Sequence, residues 1–248
     1  MAFFSIIIPT HNCEHTIIKC LASVANQNFQ DLEVIIIDGC SSDNTVDLIK
    51  KFLDEHPGLS NIFINEEDQG VYDAMNKGAE KATGGWLYFL GADDELMDNT
   101  ILSQIHNHLL KKPKIDFFYG NAFLRSNGEY YDGRFKMRKL IKMNICHQAI
   151  FIKKNIFLEL GPFDIRYPLY ADWDLNLKVY MARKHVSYKN IVVVSYSNTG
   201  KSSREVDTVF EETLREIKKK FYSHYFNRLR SRVHYLRKRL KRWANVKM

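Results

Sequence analysis

Trp86-Leu87-Tyr88-Phe89-Leu90-Gly91-Ala92-Asp93-Asp94-Glu95 is the stretch whose reading decides the fold. Five large apolar residues in a row describe a strand buried on both faces, as in a parallel sheet covered by helices. The strand stops at Gly91 and three carboxylates follow. Open α/β sheets bind ligands just beyond the carboxyl ends of their strands. Adjacent acids there repel one another unless a cation sits among them or a proton is taken up. Mg2+ or Mn2+, held by oxygen ligands and brought in with a substrate phosphate, would satisfy them. Alternatively, Asp93-Asp94-Glu95 opens the next helix, where carboxylates suit the dipole. The stretch by itself leaves both readings open.

Working outward, strands and helices alternate. Phe3 to Ile8, Leu32 to Ile37 and Ile62 to Ile64 read as strands, and Glu14 to Asn26, a segment ending near Glu55, and Val71 to Lys81 as helices. This alternation predicts a doubly wound, mainly parallel sheet over the first hundred residues. The middle differs. Ile115 to Tyr119 is a strand, Ser126-Asn127-Gly128 marks a hairpin, and Gln148 to Ile152 and Ile191 to Tyr196 are further strands. Helices are expected over Lys153 to Leu160 and Asp172 to Arg183, with a polar loop at Ser197 to Ser203.

A chain of 248 residues with 45% hydrophobic content fills one large α/β domain or two small ones. No apolar run approaches the ~20 residues needed to cross a bilayer, and no signal peptide precedes the first strand, so a cytoplasmic location is expected. Cys13, Cys20, Cys40 and Cys146 show no metal-ligand spacing and fit a reducing compartment. The net charge of +7 is concentrated in the tail, which carries no acid after Glu216.

Three strands end in polar turns: Pro9-Thr10-His11-Asn12, Asp38-Gly39 and Ala92-Asp93-Asp94. In a parallel sheet these ends share one edge, and an acid at a second strand end commonly holds a nucleoside. No glycine-rich phosphate loop of either common type is present. A bound diphosphate would therefore need another positive partner, and a metal on Asp93 would provide it.

With these pieces, the chain resembles the inverting family 2 glycosyltransferases of GT-A fold. The resemblance rests on Ser5-Ile6-Ile7-Ile8-Pro9-Thr10-His11-Asn12, Ile37-Asp38-Gly39-Cys40-Ser41-Ser42-Asp43-Asn44-Thr45, Asp68-Gln69-Gly70-Val71-Tyr72-Asp73-Ala74-Met75-Asn76-Lys77-Gly78 and Leu90-Gly91-Ala92-Asp93-Asp94. Cys146-His147-Gln148-Ala149, Gly161-Pro162-Phe163-Asp164 and Ala171-Asp172-Trp173-Asp174-Leu175 continue it over about 200 residues. The wording around Tyr72 resembles bacterial members that build capsule and exopolysaccharide.

The resemblance implies a GT-A, Rossmann-like, mainly parallel sheet over residues 1–215, followed by a basic helical tail over 216–248. It implies a nucleotide-sugar donor, a UDP-sugar, held by Pro9, Thr10, Asn12, Glu14, Asp38, Asp68, Asn76, Lys77, Ala92 and Asp93. Asp93 and Asp94 would hold Mn2+ or Mg2+, and Asp172 would be the catalytic base. His147, Gln148 and Trp173 would lie on the side of a saccharide acceptor, possibly lipid-linked. Two positions depart from the pattern: Gly91 replaces the first acid of the DxD motif, and Met75 replaces a basic residue that many members carry, with Lys77 two residues on. Plainer readings stand beside these. Asp38 and Asp172 could simply start helices, with Asp174 as a rival base, and His147 and Trp173 could be core residues.

In the tail, Leu229, Val233, Leu236, Leu240 and Trp243 form a stripe among Arg228, Arg230, Arg232, Arg237, Lys238, Arg239, Lys241 and Arg242. Such a helix suits an anionic membrane surface. The same spacing also fits docking on the parent domain or on a second copy in a homo-oligomer. No nucleic-acid motif accompanies the charge, so nucleic acid is not an expected partner. The function expected is transfer of one sugar to a saccharide acceptor in polysaccharide or cell-surface glycan synthesis. The alternatives are a non-catalytic nucleotide-binding protein of the same fold and a sugar-nucleotide pyrophosphorylase.

Overall fold

Consecutive residues of a strand face opposite sides of its sheet, so a strand apolar at every position must be covered twice. β1 (Phe4–Thr10) and β2 (Leu32–Asp38) are buried along their whole lengths. Phe4, Ile6, Ile8, Val34 and Ile36 share one core with α1 (Ile17–Ala25), α2 (Thr45–Glu55) and α4 (Ile101–Leu110). The other face carries Ile7 and Ile37, on which α3 (Val71–Lys81) lies. At the crossing a Cβ on Gly78 would stand 2.5 Å from Ile7 Cγ2, so only glycine lets helix and strand approach so closely.

The computed structural model describes residues 2–131, 133–197 and 207–223. The sheet is nine-stranded among these residues, in the order β3-β2-β1-β4-β8-β6-β9-β5, with β7 paired to β6. β3 is Asn61–Asn65, β4 Trp86–Phe89, β5 Glu95–Leu96, β6 Phe117–Leu124, β7 Glu129–Tyr131, β8 Ile150–Lys153 and β9 Val186–Tyr196. The first half, β3 to β4, is parallel. The second half is mixed: β8 runs antiparallel to β4 and β6, and β6 runs parallel to β9. α5 (Met137–Leu140), α6 (Lys154–Leu160) and α7 (Ala171–Met181) complete the first unit, which closes at Asp207. The second unit begins at Thr208 and is helical over 208–223.

Several elements differ from expectation. Glu95-Leu96 is a short strand against β9 rather than the start of a helix. β9 begins at Val186, five residues before the expected start, through a polar stretch whose backbone pairs with β6. His147–Ala149 forms a 3-10 turn before β8. The tail stripe from Leu229 to Trp243 and most of the loop from Ser197 to Ser203 lie outside the described residues.

At the opposite end of the strands from the polar turns, buried Glu33 joins three segments. It accepts from Ser5 Oγ (2.5 Å), the Thr83 amide (2.6 Å) and the Gly84 amide (3.0 Å). Burial raises its pKa, but these donors outweigh burial and hold it below the usual glutamate value. Glu33→Ala takes the acceptor from Ser5 Oγ and from the Thr83 amide and hydroxyl, while the Gly84 amide keeps Ser5 Oγ (2.9 Å), and should destabilise the fold by about 2–3 kcal/mol in urea titrations, with nucleotide affinity unchanged.

Candidate active site

The parallel register brings the strand ends to one edge. Thr10 pairs with Asp38, and Asp38 with Asn65. The Leu90 amide bonds Ile7 O (3.0 Å), which sets the turn after β4 beside them. Thr10 Oγ1 donates to Asp38 Oδ1 at 2.8 Å, while the Ser41 hydroxyl (2.6 Å) and amide (2.8 Å) complete the carboxylate's shell. Asp38 is 0% exposed. It therefore acts as a brace that shapes the Gly39–Ser42 loop, and the atoms on show are those of the loop itself and of exposed His11 and Asn12.

Asn12 and Glu14 extend that brace. Asn12, at φ +49°, accepts the Ser42 amide (2.8 Å), and Glu14 accepts both the Asn44 amide (3.0 Å) and its side chain (2.7 Å). Pro9 is buried in β1. Asp68 lies over Gly39, where a Cβ would overlap its carboxylate, and accepts the Gly70 amide. Lys77 is held by Glu67 O (2.6 Å), Glu66 (3.1 Å) and Asp73 (3.5 Å). Asn76 spends its amide on the backbone of Phe163, donating and accepting at 2.9 Å. Met75, at the position where a basic residue was expected, is buried.

The acidic turn divides its labour. Arg125 binds Glu95 (2.7 Å) and donates to Asp93 O, which fixes the turn and leaves the half-buried Asp93 side chain forward. Asp94 was expected beside it as a second metal ligand. Its carboxylate instead points inward, 0% exposed, because Gly91 has no side chain to fill that space. One oxygen accepts the Ser197 amide (2.7 Å). Oδ2 is buried with no hydrogen-bond partner among the described residues; Gln148 stands near it without bonding geometry. Burial, and then the charge of Asp93, push Asp94 up to about 7.

No cluster of three or more metal-ligating side chains forms among the described residues. One forward carboxylate with an uncompensated acid behind it suits a divalent ion that brings phosphate oxygens and water with it. It does not suit an all-protein cage. Ala92 is buried between Gly91 and Asp93.

Across the edge, Asp172 sits in the first turn of α7, where the helix dipole favours a carboxylate. It is 6% exposed and accepts from Tyr72 Oη (2.7 Å) and from Asn144 Nδ2. Asp174, two positions on, faces away and pairs with Lys178 at 2.7 Å. His147 Nδ1 stands 3.8 Å from Asp172 Oδ2, and the ring feels both Asp172 and Asp93. Gln148 is buried; its carbonyl accepts from Tyr88 (2.8 Å) and its side chain from Cys146 (3.2 Å). Trp173 gives its indole N–H to Leu140 O (2.8 Å) and stands edge-on to Tyr170.

The sequence reading missed Arg125, Asn144 and Asn176, and gave Tyr72 no role. Tyr72 lies inside a quoted motif; the others carry no local pattern.

The sequence profile of glycosyl transferase family 2 matches residues 5–162. A PGL/p-HBAD biosynthesis glycosyltransferase of Mycobacterium bovis is 41% identical over 207 residues, covering 82% of this chain and 80% of the relative. A UDP-Glc:alpha-D-GlcNAc-diphosphoundecaprenol beta-1,3-glucosyltransferase of Escherichia coli is 34% identical, covering 56% of this chain and 53% of the relative. Among solved structures, Staphylococcus aureus TarS 1–349 in complex with UDP-GlcNAc superposes with a TM-score of 0.64 at 18% identity, over 83% of this chain and 61% of that one. The Pyrobaculum calidifontis mannosyltransferase in complex with GDP-Man and Mn2+ gives 0.65 at 19%, over 81% and 58%. This chain thus spans about three fifths of those two solved chains. The likeness to them is one of fold.

His147 is 23% exposed at its edge, but its Nε2 is buried without a hydrogen-bond partner among the described residues. Burial pulls its pKa below the ordinary histidine value, against the opposing pull of Asp172 and Asp93. The stability this confers is full above the unfolded value of about 6.5 and is lost as pH falls through the lower folded one. Urea titrations should show wild type losing stability against His147→Gln as pH drops below about 6.5.

Proposed function

The chain belongs to glycosyltransferase family 2, and on that premise we propose that it transfers one sugar from a UDP-sugar to a hydroxyl of a saccharide acceptor, with inversion at the anomeric carbon. The observation that supports this reading best is the buried Asp172 carboxylate at the start of α7, held by Tyr72 and Asn144 and with His147 Nδ1 3.8 Å away. The Thr10–Asp38–Ser41 brace shapes the loop against which the nucleoside lies. Asp93 would hold Mg2+ or Mn2+, and the ion would supply positive charge to balance the negative charge of the departing diphosphate. Asp172 takes the proton of the acceptor hydroxyl as that oxygen attacks. Asp174 is spent on Lys178 and does not compete.

The acceptor is a glycan under construction, and we read it as lipid-linked. The Escherichia coli relative is named for a diphosphoundecaprenol acceptor, and a basic, striped tail would hold the enzyme at the same anionic surface. Among the described residues no helix is long and apolar enough to cross a membrane.

A panel of UDP-glucose, UDP-galactose and their N-acetyl forms, scored by thermal shift, selects the donor. Asp172→Asn should keep that shift and lose transfer by at least a hundredfold. Asp93→Ala should lose the metal-dependent part of the shift. Transfer by Asp172→Asn at the wild-type rate overturns the assignment of the base.

The tail is checked by flotation with phosphatidylglycerol vesicles. The full chain should float and a chain ending at Lys218 should not; equal recovery overturns membrane anchoring by the tail.

A further inference from the structure

Asp172 is held by two groups that are themselves held. Asn144 Oδ1 accepts from the Ile145 amide (2.9 Å) and from Asn176 Nδ2 (2.8 Å), so that oxygen is committed. The amide can then present only its NH2 to Asp172 Oδ2. Asn176 is buried and lies four residues after Asp172, one turn along α7. The helix that carries the carboxylate therefore also carries the lock on the carboxylate's neighbour. Tyr131 adds a further hold by donating its hydroxyl to Asn144 O.

The second group is Tyr72, which reaches Asp172 Oδ1 (2.7 Å) from α3 and also lies 3.0 Å from Leu169 O. Leu169 O and the Asp172 carboxylate both only accept, so the single hydroxyl proton serves one of them at a time, and the charged carboxylate at the shorter distance is the stronger acceptor. Leu169 is tied in turn through its amide to Asp207 Oδ2 at 3.3 Å. Each Asp172 oxygen thus receives one donor, from opposite sides, and the plane of the carboxylate is set.

Resting on the function proposed above, we propose that Tyr72 and Asn144 are positioning residues for Asp172, and that Asn176 acts on the base solely through Asn144. A base held in one plane meets the acceptor hydroxyl in a reactive geometry; a base free to rotate spends most of its time outside it. None of these residues is among those assigned to the donor above, so loss of any of them should slow turnover and leave donor binding alone.

The test is a mutant cycle, read as UDP release in a full transfer assay with the donor that the panel selects. UDP affinity by calorimetry and melting temperature are measured on each variant. Tyr72→Phe, Asn144→Ala and Asn176→Ala should each lower kcat about tenfold or more, with donor KM within about twofold. Asn144→Ala/Asn176→Ala should be no slower than Asn144→Ala alone, because the second change removes a lock on a group already gone. In the Asp172→Asn background none of the three should cost anything further.

Costs that add in the double variant, or that persist without the Asp172 carboxylate, overturn the proposal, since an independent structural role would give both. Wild-type kcat in Tyr72→Phe and Asn144→Ala also overturns it. Should Asn144→Ala fail to fold, Asn176→Ala and Tyr72→Phe still decide through the Asp172→Asn background. Wild-type transfer by Asp172→Asn would instead overturn the function proposed above, so the two failures are told apart.

Discussion

The hydrogen bond from Tyr72 to Asp172 joins residues a hundred positions apart. Tyr72 belongs to α3, which packs on the parallel half of the sheet, and Asp172 to α7, which follows the mixed half. A buried carboxylate is tolerated only where donors meet it, and here they come from both halves. The relative placement of the strand-end loops and of the opposing acid is thereby fixed by polar contacts. Asn76 reinforces the same junction by pinning Phe163. Apolar packing would let these two parts slide; two-centre hydrogen bonds do not.

The acids of the site follow one rule: each carboxylate that the fold buries is assigned a neighbour, and the exception is instructive. Asp38 has Thr10 and Ser41, and Asp172 has Tyr72 and Asn144. Asp94 accepts the Ser197 amide, and its second oxygen is buried with no hydrogen-bond partner among the described residues. The charge of Asp93 next to it makes that worse, which is why its pKa rises to about 7. The turn therefore holds repulsion that nearby positive charge relieves, and Arg125 supplies a part of it from the outer side.

The parallel half was legible in the sequence because unbroken apolar runs such as Leu32 to Ile37 leave few alternatives, and because strand ends in such sheets fall on one side. The family resemblance supplied Asp93 and Asp172. Less visible was the direction in which a side chain points. Asp93 and Asp94 are adjacent and alike in sequence, yet one is half-buried and the other fully buried on the Ser197 amide, a contact made only once the chain after β9 is in place. Asn76 and Trp173 were placed at the substrate on the strength of their motifs, whereas their polar atoms are engaged by the backbone of Phe163 and of Leu140. Asn144 and Asn176 could not be found from spacing, since their partnership exists only once α7 has docked. The early start of β9 was hidden because Ser187 to Asn190 is polar; Val186 to Tyr188 join the strand by pairing with β6, and the register then shifts before pairing resumes at Val192.

The position of β9 has a consequence for biosynthesis. The acidic turn is anchored through β5 and Ser197 to a strand that ends at Tyr196, more than a hundred residues later in the chain. On the ribosome the first four strands can pair as soon as they emerge, but this edge must wait until β9 is out of the exit tunnel. A nascent chain thus carries its paired parallel strands before the acidic turn beyond β4 is secured.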